Sequence, residues 1–397
     1  MANKGLSQVL VYTFMGLMIL TGSINTIANK LQNLSESLGK GYNHTWFITF
    51  CMFFGECFCI IAYIIQSKYA ENSTPLVDEA ANETEKEEEK PEATPTLLIL
   101  PALCDFCGST IMTFGLVLMA GSVYQMFRGS LILFTALFSV IFLDSKLYKH
   151  HYLSLFFVIS GLLLVGVSSI VNKTSDGAKT SIWGIILVVI AQLFAATQFI
   201  VEEKFMKNYR CHPLKAVGWE GIWGATLYLV ILIIFQFIPC ESDWKVTSTI
   251  CSQDDSNDWR LENTDFAFRQ MGGNGALLFY VILYICSIAV FNYVGISVTK
   301  YASSTARSVI DTIRTIFVWV FFLIPWPFVL EKNRESFAVL QLIGFIVLVA
   351  GTVIYNEVII LPFMGFDENT KEKLKNKKTE DKESLDSLSK PNKGTDS

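Results

Sequence analysis

A chain of 397 residues that is 52% hydrophobic, 13% aromatic and only 17% charged, with a formal net charge of −5, is too apolar for an ordinary soluble fold. The charge is confined to segments, and the stretches between them carry very little. A soluble bundle of buried core helices would need amphipathic stripes and charged faces, which those stretches lack.

Crossing a hydrocarbon core of ~30 Å takes ~20 residues of helix. Apolar runs of that length recur at 8–28, 46–66, 97–119, 122–143, 151–171, 182–201, 217–239, 276–298, 302–327 and 337–360. They predict an all-α integral membrane protein with ten transmembrane helices. The first run is long enough to span and lacks a small-residue cleavage site, so it reads as an uncleaved anchor. A mitochondrial presequence wants several arginines, whereas residues 1–8 offer only Lys4.

Between the second and third runs, residues 67–96 hold Glu83, Glu85, Glu87, Glu88 and Glu89 among prolines and read as a solvated linker. Residues 365–397 read as a disordered tail of lysines and acids. Ten spans put both termini on one face. That face collects Lys146 and Lys149, the cluster Lys204, Lys207, Arg210 and Lys215, and the lysines from Lys371 to Lys393. Basic residues are retained on the cytosolic side, so both termini are predicted cytosolic and the acidic loop 240–275 lumenal. Cys240 and Cys251 then face an oxidising compartment, where a disulfide is expected. The sequons at Asn33, Asn43 and Asn172 fall on the lumenal side, and those at Asn72 and Asn82 on the cytosolic side.

Soluble chemistries find little support. Cys104-x-x-Cys107 has no second pair and lies within a predicted span, and His44, His150, His151 and His212 sit in or beside loops with no ligand cluster around them in the sequence. Gly272-Gly273-Asn274-Gly275 lacks the lysine of a phosphate-cradling loop. No metal, no cofactor, no nucleic-acid partner and no nucleophile–base constellation of an enzyme is expected.

Residues 115–172 and 295–356 share an order of features. Each has a glycine near a helix end (Gly115, Gly295), a short turn, a helix with polar and basic residues, and a glycine-containing span that ends in asparagine (Asn172, Asn356). The chain reads as a duplication, with 1–171 as one five-helix repeat and 172–364 as the other. Five is odd, so the second copy enters the membrane inverted. Inverted repeats are a structural basis of alternating access, with the substrate site between them.

Charges within spans cost ~2.5–3.5 kcal/mol each on insertion scales and need a partner or a wet cavity. The ninth span carries Arg307, Asp311 and Arg314 at i, i+4 and i+7, on one helical face. Gln125 and Arg128 occupy the matching place in the fourth. If Asp311 neutralises Arg307 as a structural ion pair or gate, Arg314 and Arg128 remain to bind an anionic group, with Gln125 beside them. Glu56, Glu220 and Asp105 are the candidates for proton coupling.

A set of polar motifs then carries a resemblance. Leu20-Thr-Gly-Ser-Ile-Asn-Thr26, Gly55-Glu-Cys57, Leu100-Pro-Ala-Leu-Cys-Asp105, Gln125-Met-Phe-Arg-Gly129 and Val201-Glu-Glu-Lys-Phe205 come first. His212-Pro-Leu-Lys-Ala-Val-Gly-Trp-Glu-Gly221 and Phe291-Asn-Tyr-Val-Gly-Ile-Ser-Val-Thr-Lys300, followed by Arg307, Asp311 and Arg314-Thr315, complete it. Over residues 8–358 the chain resembles the F subfamily of solute carrier family 35, in the drug/metabolite transporter superfamily. The resemblance implies ten helices in two inverted repeats and a nucleotide-sugar-transporter-like protein of an endomembrane, the lysosomal membrane first and mitochondria for some relatives. It makes Arg128, Arg307, Asp311 and Arg314 motif positions. The expected function is secondary-active transport of a small polar, anionic metabolite across the lipid bilayer. The alternative is a scaffold that binds a second copy or another membrane protein and moves nothing.

Overall fold

The computed structural model describes residues 2–71, 90–119, 121–171, 181–240, 251–253, 259–324, 339–357, 359–362, 365–370 and 373–374. Most of the linker and tail, and the sequons at Asn72, Asn82 and Asn172, lie outside them. The described residues are mostly helical: α1 (Ala2–Leu34), α2 (Thr45–Glu71), α3 (Ile99–Val117), α4 (Gly121–Arg128), α5 (Leu131–Leu143), α6 (Lys149–Val171), α7 (Ile182–Asn208), α8 (Pro213–Phe235), α9 (Thr264–Gly273), α10 (Gly275–Tyr301), α11 (Ser304–Leu323) and α12 (Val339–Tyr355).

Among these residues, eight helical stretches are long and apolar enough to cross a membrane: α1, α2, α3 with its preceding turn, α4 and α5 together, α6, α7, α8 and α10. The chain is an all-α integral membrane protein. Its surface agrees, since Phe156, Leu163, Ile233 and Phe279 are exposed while Arg307, Arg314 and Glu202 are buried. That inversion suits lipid outside and a polar interior.

Helix ends follow local chemistry. Ser181, Asn263, Asn274 and Ser303 accept backbone N–H bonds as N-caps of α7, α9, α10 and α11. His212 caps α8, with Pro213 in the first turn, where a missing N–H does no harm. Several boundaries depart from the hydropathy reading, two of them next to the interior charges. Helix α7 continues past 201 to Asn208, and α8 begins at Pro213 instead of 217. The fourth span is also interrupted, since Gly129 and Ser130 form a tighter turn between α4 and α5.

The most extensive packings are α6 on α12, α2 on α8, α1 on α10 and α3 on α7; α2 on α10, α5 on α7 and α1 on α11 follow. Where α6 meets α12, Gly161 and Gly344 lie face to face. A Cβ on Gly161 would stand 2.6 Å from the Gly344 carbonyl oxygen, and one on Gly344 would stand 2.9 Å from that of Gly161. The two backbones thus touch, as small residues permit in membrane bundles.

The end of the bundle opposite Ala2 and Tyr355 is capped. Glu36–Ser37 pairs with Lys40–Gly41 around Leu38 and Gly39, both at positive φ as a two-residue hairpin turn of this hand requires. A second ribbon pairs Ser252–Gln253 with Trp259–Arg260, and a disulfide joins Cys240 to Cys251. His44 clasps the two parts together: Nδ1 lies 2.6 Å from Glu262 Oε1, and Nε2 lies 3.1 Å from Gln270 Oε1. Gln270 Nε2 donates to the Ser37 carbonyl at 3.1 Å, and Ser37 Oγ donates to the Gln270 carbonyl at 2.8 Å.

At the other end, His150, His151 and Glu357 converge, with ligand atoms within 4.8 Å of one another. This corrects the reading that the histidines lack ligand-type neighbours, which only the meeting of α6 with the end of α12 supplies. Nδ1 of His151 accepts the Tyr148 N–H at 3.0 Å, so one lone pair of the group is already engaged.

Candidate functional site

A cavity of about 140 Å³ lies between α1, α2, α3, α4, the start of α5, α7, α10 and α11. Its charged lining residues are Arg128, Arg307, Asp311 and Arg314, on α4 and α11, and Asp105 on α3. The fourth and ninth predicted spans therefore do meet across the interior. Arg307, Asp311 and Arg314 are each 4% exposed or less, so their pairing decides whether α11 can lie inside a membrane at all.

The pairing differs from the one expected. Asp311 does not hold Arg307. Its Oδ1 lies 2.8 Å from Nε of Arg314, three residues on, and its Oδ2 accepts a hydrogen bond from Arg128 at 3.2 Å. Arg307 is instead paired with Glu202 of α7, and its guanidinium lies 3.8 Å from the centre of the Phe199 ring. Both i+3 and i+4 partners are within reach on a helix. What selects i+3 is tertiary: Glu202 and Phe199 present a carboxylate and an aromatic face to Arg307, and Arg128 presents a second cation to Asp311.

Glu202 was invisible to the hydropathy reading because the apolar run stops at Val201, whereas the helix carries on and turns Glu202 and Glu203 inward, 1% and 5% exposed. A signal existed in two adjacent acids at the end of an otherwise uncharged span. Glu203 accepts the backbone N–H of Ser304 at 2.6 Å and so holds the start of α11.

Glycines let the arginines approach neighbouring helices. A Cβ on Gly22 would lie 2.7 Å from a terminal nitrogen of Arg314, which donates to the Gly22 carbonyl at 2.9 Å. A Cβ on Gly295 would lie 2.8 Å from Nε of Arg307. Arg314 also stacks over Phe291 at 4.7 Å.

The other candidates fall in three places. Asp105 lines the cavity and accepts from Ser109 Oγ at 2.6 Å and from Gln198 Nε2 at 3.4 Å, both neutral donors. Glu56 and Glu220 lie behind the wall on the α2–α8 seam, 1% and 3% exposed, and Asn292, which does line the cavity, donates to Glu56. Glu220 is thus buried inside the bundle. Gln125 also falls outside the lining; its carbonyl accepts from Thr315 Oγ1 at 3.4 Å, and the cavity face of this span is formed by Tyr124, Arg128 and Leu131.

Comparison with known proteins gives a consistent result. Residues 9–256 match the model of the CRT-like, chloroquine-resistance transporter-like family. Solute carrier family 35 member F6 of Rattus norvegicus is 36% identical over 86% of this chain and 87% of its own length, and that of Homo sapiens is 35% identical over the same shares. An uncharacterised protein of Schizosaccharomyces pombe is 30% identical over 87% of this chain and 97% of its own.

Proposed function

This chain belongs to the chloroquine-resistance transporter-like family and is an integral membrane protein of transporter lineage, and from that premise we propose that it is a secondary-active carrier of a small polar solute bearing an anionic group. The observation that carries the reading is the central cavity, in which Arg128 from the first half of the chain and Arg314 from the second share the carboxylate of Asp311. Two cations on one anion leave a positive charge facing a polar space, and arginine suits carboxylate or phosphate oxygens.

In this reading the chain spans ten times. The two further spans are α11, with its three charges, and α12, apolar but 17 residues long. Support for two inverted five-helix repeats comes from the packing. Exchanging each span with the one five places along turns α1 on α10 into α7 on α3, and α5 on α7 into α11 on α1. The same exchange turns α2 on α8 and α6 on α12 into themselves. Such a pair of repeats rocking about a shared site is the structural basis of alternating access. The termini lie in the cytosol and the capped end in the lumen of an endomembrane compartment.

Uptake by proteoliposomes tests the proposal. Arg314→Gln should abolish uptake while the protein still folds, because the Arg128–Asp311 pair survives. Uptake at the wild-type rate would remove Arg314 from the binding site and favour a scaffold.

A further inference from the structure

The charges on the cavity wall do not cancel locally, and their residue is bipolar. On the side of α4 and α11, Arg128 and Arg314 share one carboxylate, which leaves one positive charge uncompensated. Arg307 adds nothing to it, because Glu202 takes its charge. On α3, Asp105 accepts hydrogen bonds from the hydroxyl of Ser109 and the amide of Gln198 and forms no ion pair among the described residues. Glu56 and Glu220 are set back on the α2–α8 seam, and the Asn292 amide stands between Glu56 and the cavity. Arg128 and Arg314 therefore leave one positive charge in excess on the lining, and Asp105 lines the same cavity on α3 with no cation within ion-pair distance among the described residues.

We propose, building on the transport reading above, that the cavity is made for a small zwitterion, whose carboxylate-type group docks on Arg128 and Arg314 and whose ammonium group docks on Asp105. Charge counting decides between this class and the alternatives. In a low-dielectric interior, unpaired charge is expensive and complementary charge is strongly favoured. A solute with one negative group satisfies the arginine wall and leaves Asp105 unmatched. A diphosphate-bearing sugar nucleotide brings two or more negative charges against an excess of +1, with an aspartate on the same lining. A solute with both signs matches the arginines and Asp105 together without a proton being taken up by Asp105. The lining also holds Tyr124, Tyr284, Ile288, Phe291, Met52 and Met112, which offer an apolar surface for an uncharged side chain. An α-amino acid is the simplest solute with that distribution.

The test uses the full-length protein, purified in detergent, and probes that differ only in charge. Leucine carries both groups, N-acetylleucine only the anion, and leucine methyl ester only the cation; glycine and phenylalanine with the same two derivatives cover solute size. A ligand that binds only the folded state raises its melting temperature. At least one parent zwitterion should do so, with both of its blocked derivatives weaker by tenfold or more. Asp105→Asn should erase the parent's advantage over the N-acetyl form, and Arg314→Gln its advantage over the ester. The wild-type ranking stands on its own if either variant fails to fold. An N-acetyl derivative that equals its parent, or no shift from any of the three parents, overturns the zwitterion assignment. A shift from UDP-glucose in place of the amino acids also overturns it, yet leaves the protein a carrier. The carrier reading falls separately, by wild-type uptake in the Arg314 variant.

Discussion

Arg128 of α4 donates to Asp311 of α11 across 183 positions of sequence, at 3.2 Å, on the carboxylate whose other oxygen faces Arg314. One aspartate thereby lets a buried arginine and a half-buried one coexist. Asp311→Lys should abolish folding or trafficking, because it gathers three like charges on one buried surface. Asp311→Asn should destabilise by about 3–5 kcal/mol, the range for breaking a buried pair by removing one partner. Expression level and thermal melting report both; a stable Asp311→Lys protein would show that the arginines are not buried together.

Glu202 and Arg307 form a second pair, with 0% and 2% of their side chains exposed. Glu202→Gln should cost about 3–5 kcal/mol, whereas the double variant Glu202→Gln/Arg307→Gln should recover much of that loss, since neither charge then stands alone. Strictly additive losses in melting experiments would mean that the two side chains do not act as a pair.

Gly22→Ala should impair uptake without altering any charge. The new methyl group would sit 2.7 Å from the Arg314 guanidinium and equally close to the Phe291 ring, so one of them must move. Uptake should fall several-fold while the melting temperature changes little. A carrier indifferent to this substitution would show that the position of Arg314 is not critical.

The bond between Cys240 and Cys251 closes a loop with a sequence separation of 11, for which loop-closure reasoning allows up to ~3 kcal/mol. Cys251→Ser, or reductant applied to the capped end, should lower the melting temperature. Mass spectrometry of non-reduced protein should find the two peptides linked. Two free thiols there would dismiss the bond.

Much of the bundle could be read from hydropathy because lipid imposes a length and a composition on each span. The charge cluster on α11 could be read because charge is rare in such segments. The partner of each charge could not. Asp311 reaches Arg307 and Arg314 equally well along the helix, and the choice depends on Glu202, Phe199 and Arg128, contributed by distant parts of the chain. Glu202 itself escaped because hydropathy marks where apolar composition stops, not where hydrogen bonding stops. Gln125 shows the converse error. It lies three residues from Arg128, but the face of α4 that meets the cavity runs through Tyr124, and only packing against α11 reveals this.

The clasp of His44, Glu262 and Gln270 has a mechanical consequence. It fastens the connection between α1 and α2 to the segment leading into α10, and the Asn274 side chain adds a bond to the Glu36 carbonyl at 3.0 Å. That end of the molecule should behave as a pivot, with the larger excursions at the end where α1 starts and α12 stops. There the Arg307–Glu202 and Ser304–Glu203 contacts are the latches to be undone. Amides around Ser37, His44 and Phe47 should then exchange with solvent slowly during turnover, while those at the start of α11 exchange quickly.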